Sequence, residues 1–275
     1  MRGASPDARG ATFDLYDLAA LKSALAGTVF AGKLHFSPLT DSTNSDTQAA
    51  ARCGAPHGSV YFADEQLAGR GRGDHAWDSV AGAGLYASVL LRPPIPAVRL
   101  PLLPLVAGLA ASEAIRAVAG LTVDLRWPND LMIGPRKVGG ILAESKISDG
   151  SVDFAVVGIG INVHQCAFDS ELSTPATSLD LETKRRVSRQ ELLLSLLKSL
   201  EYETLLLADP AAGVTIPVRV EQASTWIRGR HVEVHGPQAC TGVTAGLDEN
   251  GFLLVRTANG VVTVQTGGIR AAEIS

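Results

Sequence analysis

The residues 69–73, Gly69-Arg70-Gly71-Arg72-Gly73, join backbone freedom to two permanently charged, forked donors. That pairing suits a clamp on an anion such as a polyphosphate, and a solvated basic loop is the ordinary alternative. It lacks the Gly-Lys-Ser/Thr end of a Walker loop, which argues against P-loop chemistry. Lys137 opens an otherwise apolar, glycine-containing run, 137–142. A lysine there either enters a pocket to meet a carboxylate or phosphate, or sits at a strand edge in water. In Gly158-Ile159-Gly160-Ile161-Asn162 the missing side chains leave room for a ligand, or for a bulge or close strand packing. The spacing is not that of a dinucleotide-binding fingerprint.

The elements that must position these residues are legible in outline. Asp41-Ser42-Thr43-Asn44 offers capping side chains to a helix running to Cys53 and stopping at Gly54. Strands are expected at 59–64 and 84–91, with the Gly/Arg loop between them. A buried helix is expected at 100–119 and a strand at 123–127, broken by Pro128. Residues 131–133 and 137–144 pattern as a hairpin about Gly134-Pro135, followed by a β-rich run at 154–162. Ser188-Arg189-Gln190-Glu191 reads as a capping box opening a helix whose Leu193, Leu196, Leu197, Leu200 and Leu207 share a face. After Pro217 the pattern turns to short strands, 231–235, 241–247, 252–256 and 261–266, with turns at 248–251 and 259–260.

Composition bounds the class. At 275 residues, 46% hydrophobic and 19% charged, the chain is globular, neither disordered nor fibrous. A net charge of −4 argues against broad nucleic-acid binding while permitting a local basic patch. No uncharged run reaches the roughly 18 apolar residues of a membrane crossing, and the N-terminus, with Arg2, Asp7, Arg9 and Asp14, carries no signal-peptide core. Cys53, Cys166 and Cys240 form no CxxC pair, and His57, His164, His231 and His235 fall in no ligand constellation. A disulfide framework and a protein-held metal are therefore not expected, and the cytoplasm is the expected compartment.

Taken together, the segments are more specific than any one alone. Ser42-Thr43-Asn44, Gln66, Gly69-Arg70-Gly71-Arg72, Trp77, Trp127-Pro128-Asn129-Asp130, Lys137 with Gly140-Ile141-Leu142, Gly158, Gly160, Asn162 and Ala176-Thr177-Ser178-Leu179 follow one another as they do in biotin protein ligases. From about residue 35 to 275 the chain resembles that family, including Gly246-Leu247-Asp248, Gly251 and Leu253 near the end. The resemblance implies an α+β fold: a mixed, largely antiparallel sheet with helices on one face, plus a small SH3-like β-barrel. Expected divisions are an extension at 1–30, a biotin- and ATP-binding domain at 31–222 and the barrel at 223–275. It also implies the ligase-only class, without a DNA-binding domain in front.

The activity implied is formation of biotinyl-5′-AMP from biotin and ATP, with release of pyrophosphate. Biotin then passes to one lysine of the biotin carboxyl carrier protein of acetyl-CoA carboxylase or a related carboxylase. The resemblance implies that Lys137, Arg70, Arg72 and magnesium carried by ATP neutralise the reacting anions, and that Asp130 holds or deprotonates the incoming lysine. Ser42, Thr43, Asn44 and Gln66 would face the ureido group, with Gly69, Arg70, Gly71 and Lys137 also lining biotin. Gly140, Gly158 and Gly160 would give room beside it. Trp77, Asn129 and Asn162, with Arg70, Arg72 and Lys137, would hold the adenylate. Neither DNA nor a membrane is an expected partner, and a homodimer is left open. A lipoate ligase of the same superfamily, and a biotin-binding protein with impaired transfer, are the competing readings. One departure stands out: Asp74 and His75 fall where the family has glycine and arginine. An exposed carboxylate there would oppose the clamp by about 1 kcal/mol, and a protonated His75 would recover some positive charge.

Overall fold

The computed structural model describes residues 16–73 and 75–272, so Asp74 and the expectation attached to it lie outside the described residues. The chain runs α1 (Leu18–Ala24), β1 (Leu34–Thr40), α2 (Thr43–Arg52), β2 (Val60–Gln66) and β3 (Gly84–Leu91). It continues through α3 (Leu102–Ala119), β4 (Asp124–Arg126), β5 (Asp130–Ile133), β6 (Arg136–Ser148) and β7 (Ser151–Asn162). Helices α4 (Leu179–Thr183), α5 (Arg189–Ala208), α6 (Pro210–Gly213) and α7 (Ile216–Gln222) follow. The last strands are β8 (Arg228–His235), β9 (Cys240–Leu247), β10 (Leu253–Thr257), β11 (Gly260–Val264) and β12 (Gly268–Ala271).

Strands β1 to β7 form one mixed sheet in the order β1-β2-β3-β7-β6-β5-β4, parallel only between β1 and β2. Period-two alternation splits its two faces. Leu85, Ala87, Val89, Val157, Ile159, Ile161 and Ile141 join the main core with α3 and α5. Leu90 and Val156 point the other way and cluster with Ala51 of α2. Helices therefore cover both faces: α3 and α5 lie on one and, among the described residues, α2 lies alone on the other. The expectation of helices on one face is corrected at α2, because Ser88 and the site-facing glycines leave that face too polar and too open to close itself.

Strand β1 carries Pro38, which masks its sequence signal; the edge position tolerates it, since the register with β2 passes over that residue. Ser188 caps α5 by accepting the Glu191 N–H, and the five leucines of the shared face are all buried. Helix α3 has 18 residues with Glu113 and Arg116 as its charges, so by length and composition it meets the membrane-crossing criterion that the sequence reading had excluded. Its burial between sheet and α5 accounts for that composition as core. Within residues 16–30, Leu21, Leu25 and Phe30 are buried in the main cluster.

The C-terminal strands form a five-stranded antiparallel sheet, β11-β10-β9-β8-β12. Among the described residues β11 and β12 do not pair, so the expected barrel is not closed. Val232, Val234, Leu253 and Val255 share the main core with the larger sheet.

Candidate functional site

The α2-side face of β3, β7 and β6 carries matched rows: Tyr86 across from Gly160 and Gly140, and Ser88 across from Gly158 and Leu142. Gly140, Gly158 and Gly160 thus form one floor. The space that their missing side chains leave is filled from above by protein. A Cβ on Gly158 would lie 2.1 Å from Asn44 Oδ1, and one on Gly160 would lie 2.6 Å from Trp77 Cε2. A Cβ on Gly140 would meet both Lys137 Nζ, at 3.3 Å, and Trp77, at 3.4 Å. The room expected for a ligand at these three positions is therefore shared with Asn44, Trp77 and Lys137.

At one end lies a polar pocket. Thr43 donates through its N–H, at 2.8 Å, and its hydroxyl, at 3.0 Å, to Gln66 Oε1. Ser88 Oγ lies 2.8 Å from Thr43 Oγ1 and donates to Asn44 Oδ1 at 2.6 Å. Asn44 donates on to Glu144 at 2.8 Å, and Glu144 receives both Arg70 Nη groups, at 3.2 and 3.0 Å. Ser42 occupies the N-cap of α2 but makes no side-chain cap bond, contrary to the capping role expected of it. Its hydroxyl stays uncommitted within a buried position.

Residues 69–73 and 75–77 form a small flap. Trp77 N–H donates to the Gly69 carbonyl at 2.8 Å, and Gly71 N–H to that of His75 at 2.7 Å. Gly69 is obligatory here, because a Cβ would stand 2.4 Å from the Trp77 carbonyl. Gln66 Nε2 donates to Ser79 Oγ at 2.8 Å, tying the flap's base to the polar pocket.

At the other end Lys137 Nζ lies 2.6 Å from Asp130 Oδ1 and 5.4 Å from the Trp77 ring centre. Arg126 donates to Asp130 Oδ2 at 3.0 and 2.6 Å. Burial alone would raise the Asp130 carboxyl, but Lys137 and Arg126, by charge and hydrogen bond, outweigh it and hold it below the ordinary carboxylate range. Lys137 is framed by residues 175–177: its N–H donates to the Pro175 carbonyl, and its carbonyl accepts from Thr177 N–H. Asn162 donates to the Thr177 carbonyl at 3.0 Å, and Asn129 to that of Ile141 at 2.8 Å. Both amides thus spend a donor on backbone, where nucleotide contacts had been expected.

Two groupings differ from the sequence expectation. Arg70 and Lys137 are held at different points: Arg70 at Glu144, and Lys137 Nζ over Gly140, four residues along β6 from Glu144, roughly 13 Å of strand. Arg72 turns to the C-terminal sheet, where Nη2 reaches Thr266 Oγ1 at 2.9 Å and Nη1 the Gly267 carbonyl. Burial lowers its pKa while the nearby Asp130 charge works against that shift. A strip of this length suits an elongated ligand with a polar head, an apolar middle and an anionic end. Sequence reading missed Ser88, Glu144 and Ser79, and gave Arg126 no role of its own. A lone serine inside the buried run 84–91 was the available signal for the first; the others are evident only from their partners.

Residues 36–162 match the model of the Biotin/lipoate A/B protein ligase family. A bifunctional ligase/repressor BirA from Bacillus spizizenii is 31% identical over 263 residues, covering 90% of this chain and 77% of its own. A biotin--[acetyl-CoA-carboxylase] ligase from Mycobacterium tuberculosis is 32% identical, covering 84% and 85% respectively. Among solved structures, a biotin protein ligase from Aquifex aeolicus in complex with biotin and ATP superposes with a TM-score of 0.75 at 32% identity, over 87% of this chain and 98% of that one. At that identity and coverage, the chain belongs to the biotin protein ligase family.

Proposed function

We propose that this chain is an ATP-dependent biotin protein ligase, which makes biotinyl-5′-AMP and transfers biotin to a lysine of a biotin carboxyl carrier protein. The observation that carries the reading is the strip itself: a glycine floor under Trp77, with a hydrogen-bonding pocket at one end and Lys137 at the other. The ureido head of biotin needs both donors and acceptors, and Ser42, Thr43 and Gln66 offer them. The ring and tail run along Gly140 and Gly160 once the indole, which packs directly on that floor here, moves aside. That course places the biotin carboxylate beside Lys137.

Carboxylate and triphosphate repel one another until positive charge stands between them. Lys137, anchored by Asp130, supplies a fixed ammonium there, and a prealigned charge needs no reorganisation as the α-phosphate is attacked. Arg72 adds a second cation from the flap. Trp77 and the flap limit access of water to the acyl phosphate. Asp130, held below the ordinary range, is a weak base; it suits orienting Lys137 and holding an incoming ammonium better than removing a proton. Asp130 and Glu144 are both bound to cations, a donor set that does not fit a protein-held metal. Magnesium therefore enters with the nucleotide's phosphates, and no step here runs through it.

We assign substrate binding to residues 31–222 and flap support to residues 223–275. The deciding experiment is exchange of labelled pyrophosphate into ATP, which requires reversible adenylation of an acid. Exchange that depends on biotin is expected. Exchange with lipoate alone would make the chain a lipoate ligase. Binding of biotin without exchange would make it a binding protein.

A further inference from the structure

Arg72 lies 194 residues from Thr266 in sequence, yet its guanidinium is bound to the link between β11 and β12. That link is built to a fixed shape. Gly267 adopts φ +124°, and a Cβ there would lie 2.0 Å from the His235 carbonyl, so the chain passes β8 only because the residue is glycine. Behind the link, Gln238 accepts the N–H groups of Gln265, at 2.7 Å, and Thr266, at 3.3 Å, and donates to the Thr263 carbonyl at 2.9 Å. In front of it, a cavity of about 320 Å³ is walled by Arg72, Glu144, Trp127, Phe252 and Gln265. The flap tip is thus fastened to the C-terminal sheet beside a space that also borders the Arg70 partner.

We propose that Thr266, backed by Gln238, is a positioning residue for Arg72, so that the C-terminal sheet sets the closed geometry of the flap. The inference rests on the adenylation reading above and assigns part of its control to residues outside the larger sheet. A guanidinium carries five N–H donors; the link engages two of its terminal groups and leaves donors for the anion that forms in the site. Without the link, a long side chain at a glycine-rich tip samples many rotamers, and its charge is no longer directed.

The test uses the full chain. Thr266→Val keeps the shape and removes the acceptor; Thr266→Ser restores it; Gln238→Leu loosens the link from behind. Loss of one hydrogen bond to a charged group corresponds to roughly a tenfold change. Thr266→Val is therefore expected to release preformed biotinyl-5′-AMP about tenfold faster and to raise the KM for ATP in pyrophosphate exchange, with an unchanged melting temperature. Thr266→Ser should behave as wild type, and Gln238→Leu should move the same way by about threefold. Adding Thr266→Val to Arg72→Ala should change little further. Wild-type release by Thr266→Val, or an effect that adds in full to Arg72→Ala, overturns the proposal. Hydrogen exchange at residues 69–77 is read on the same variants without substrate. A wild-type chain that forms no adenylate defeats the ligase reading. In that case faster exchange in Thr266→Val still upholds the link, and unchanged exchange defeats it separately.

Discussion

The two charged ends of the site are made from the same kinds of side chain but behave differently, because one is buried. Side chains of Arg126, Asp130 and Lys137 are 10%, 15% and 28% exposed, whereas Arg70 is 44% exposed. Two cations converge on one carboxylate at the buried end, so each ion's desolvation is offset only while all three remain. At the more open end one cation, Arg70, meets Glu144 in a forked pair near the surface, where such a pair is worth about 0–1 kcal/mol. Fixed charge is thus concentrated where adenylation needs it. The other end is left to hydrogen bonds among Thr43, Asn44, Gln66 and Ser88, which suit recognition of a neutral head group.

Three measurements sharpen or break this contrast. The largest effect is expected for Lys137→Ala, which should cut pyrophosphate exchange by roughly 10²–10³-fold while biotin affinity stays within about tenfold. Normal exchange by that variant would remove Lys137 from the chemistry. Next comes Asp130→Asn, which leaves Arg126 and Lys137 without their anion. It should lower stability at pH 7 by about 3 kcal/mol in urea unfolding. The sign with pH follows from the depressed carboxyl. Its stabilisation is complete above the unfolded-state value near ~3.9 and is lost as pH falls through the lower folded-state value. Wild type should therefore lose part of its advantage over Asp130→Asn in strong acid, and a constant difference between pH 7 and pH 2 would contradict the assignment. The smallest effect belongs to the open end. Glu144→Gln should lower the unfolding free energy in urea by less than about 1 kcal/mol, and by less still in high salt. A shift as large as that of Asp130→Asn would erase the distinction between the ends.

Much of this was readable from local pattern. The leucine face of α5, its serine cap, the buried run of α3 and the hairpins of the last strands follow from periodicity and turn chemistry acting over a few residues. Strand β1 escaped because Pro38 interrupts it, and β12 because four residues after Gly267 carry too little pattern. Closure of the C-terminal strands into a barrel was expected and is not seen among the described residues, since strand pattern gives pairing candidates but not which edges meet.

The sequence by itself determined the inventory of the site: glycines at alternate positions of β7, a lysine second in β6, arginines between glycines, and Asp130 four residues after Arg126. Those are matters of residue type and short spacing, where backbone geometry leaves few choices. Tertiary structure decided the partners. Asn44 and Trp77 fill the space above the floor, Arg70 goes to Glu144, and Arg72 goes to Thr266 and Gly267. Each of those choices depends on which face of the sheet α2, the flap and the C-terminal strands come to cover. Such choices are settled by burial summed over the whole chain, which no short window of sequence contains.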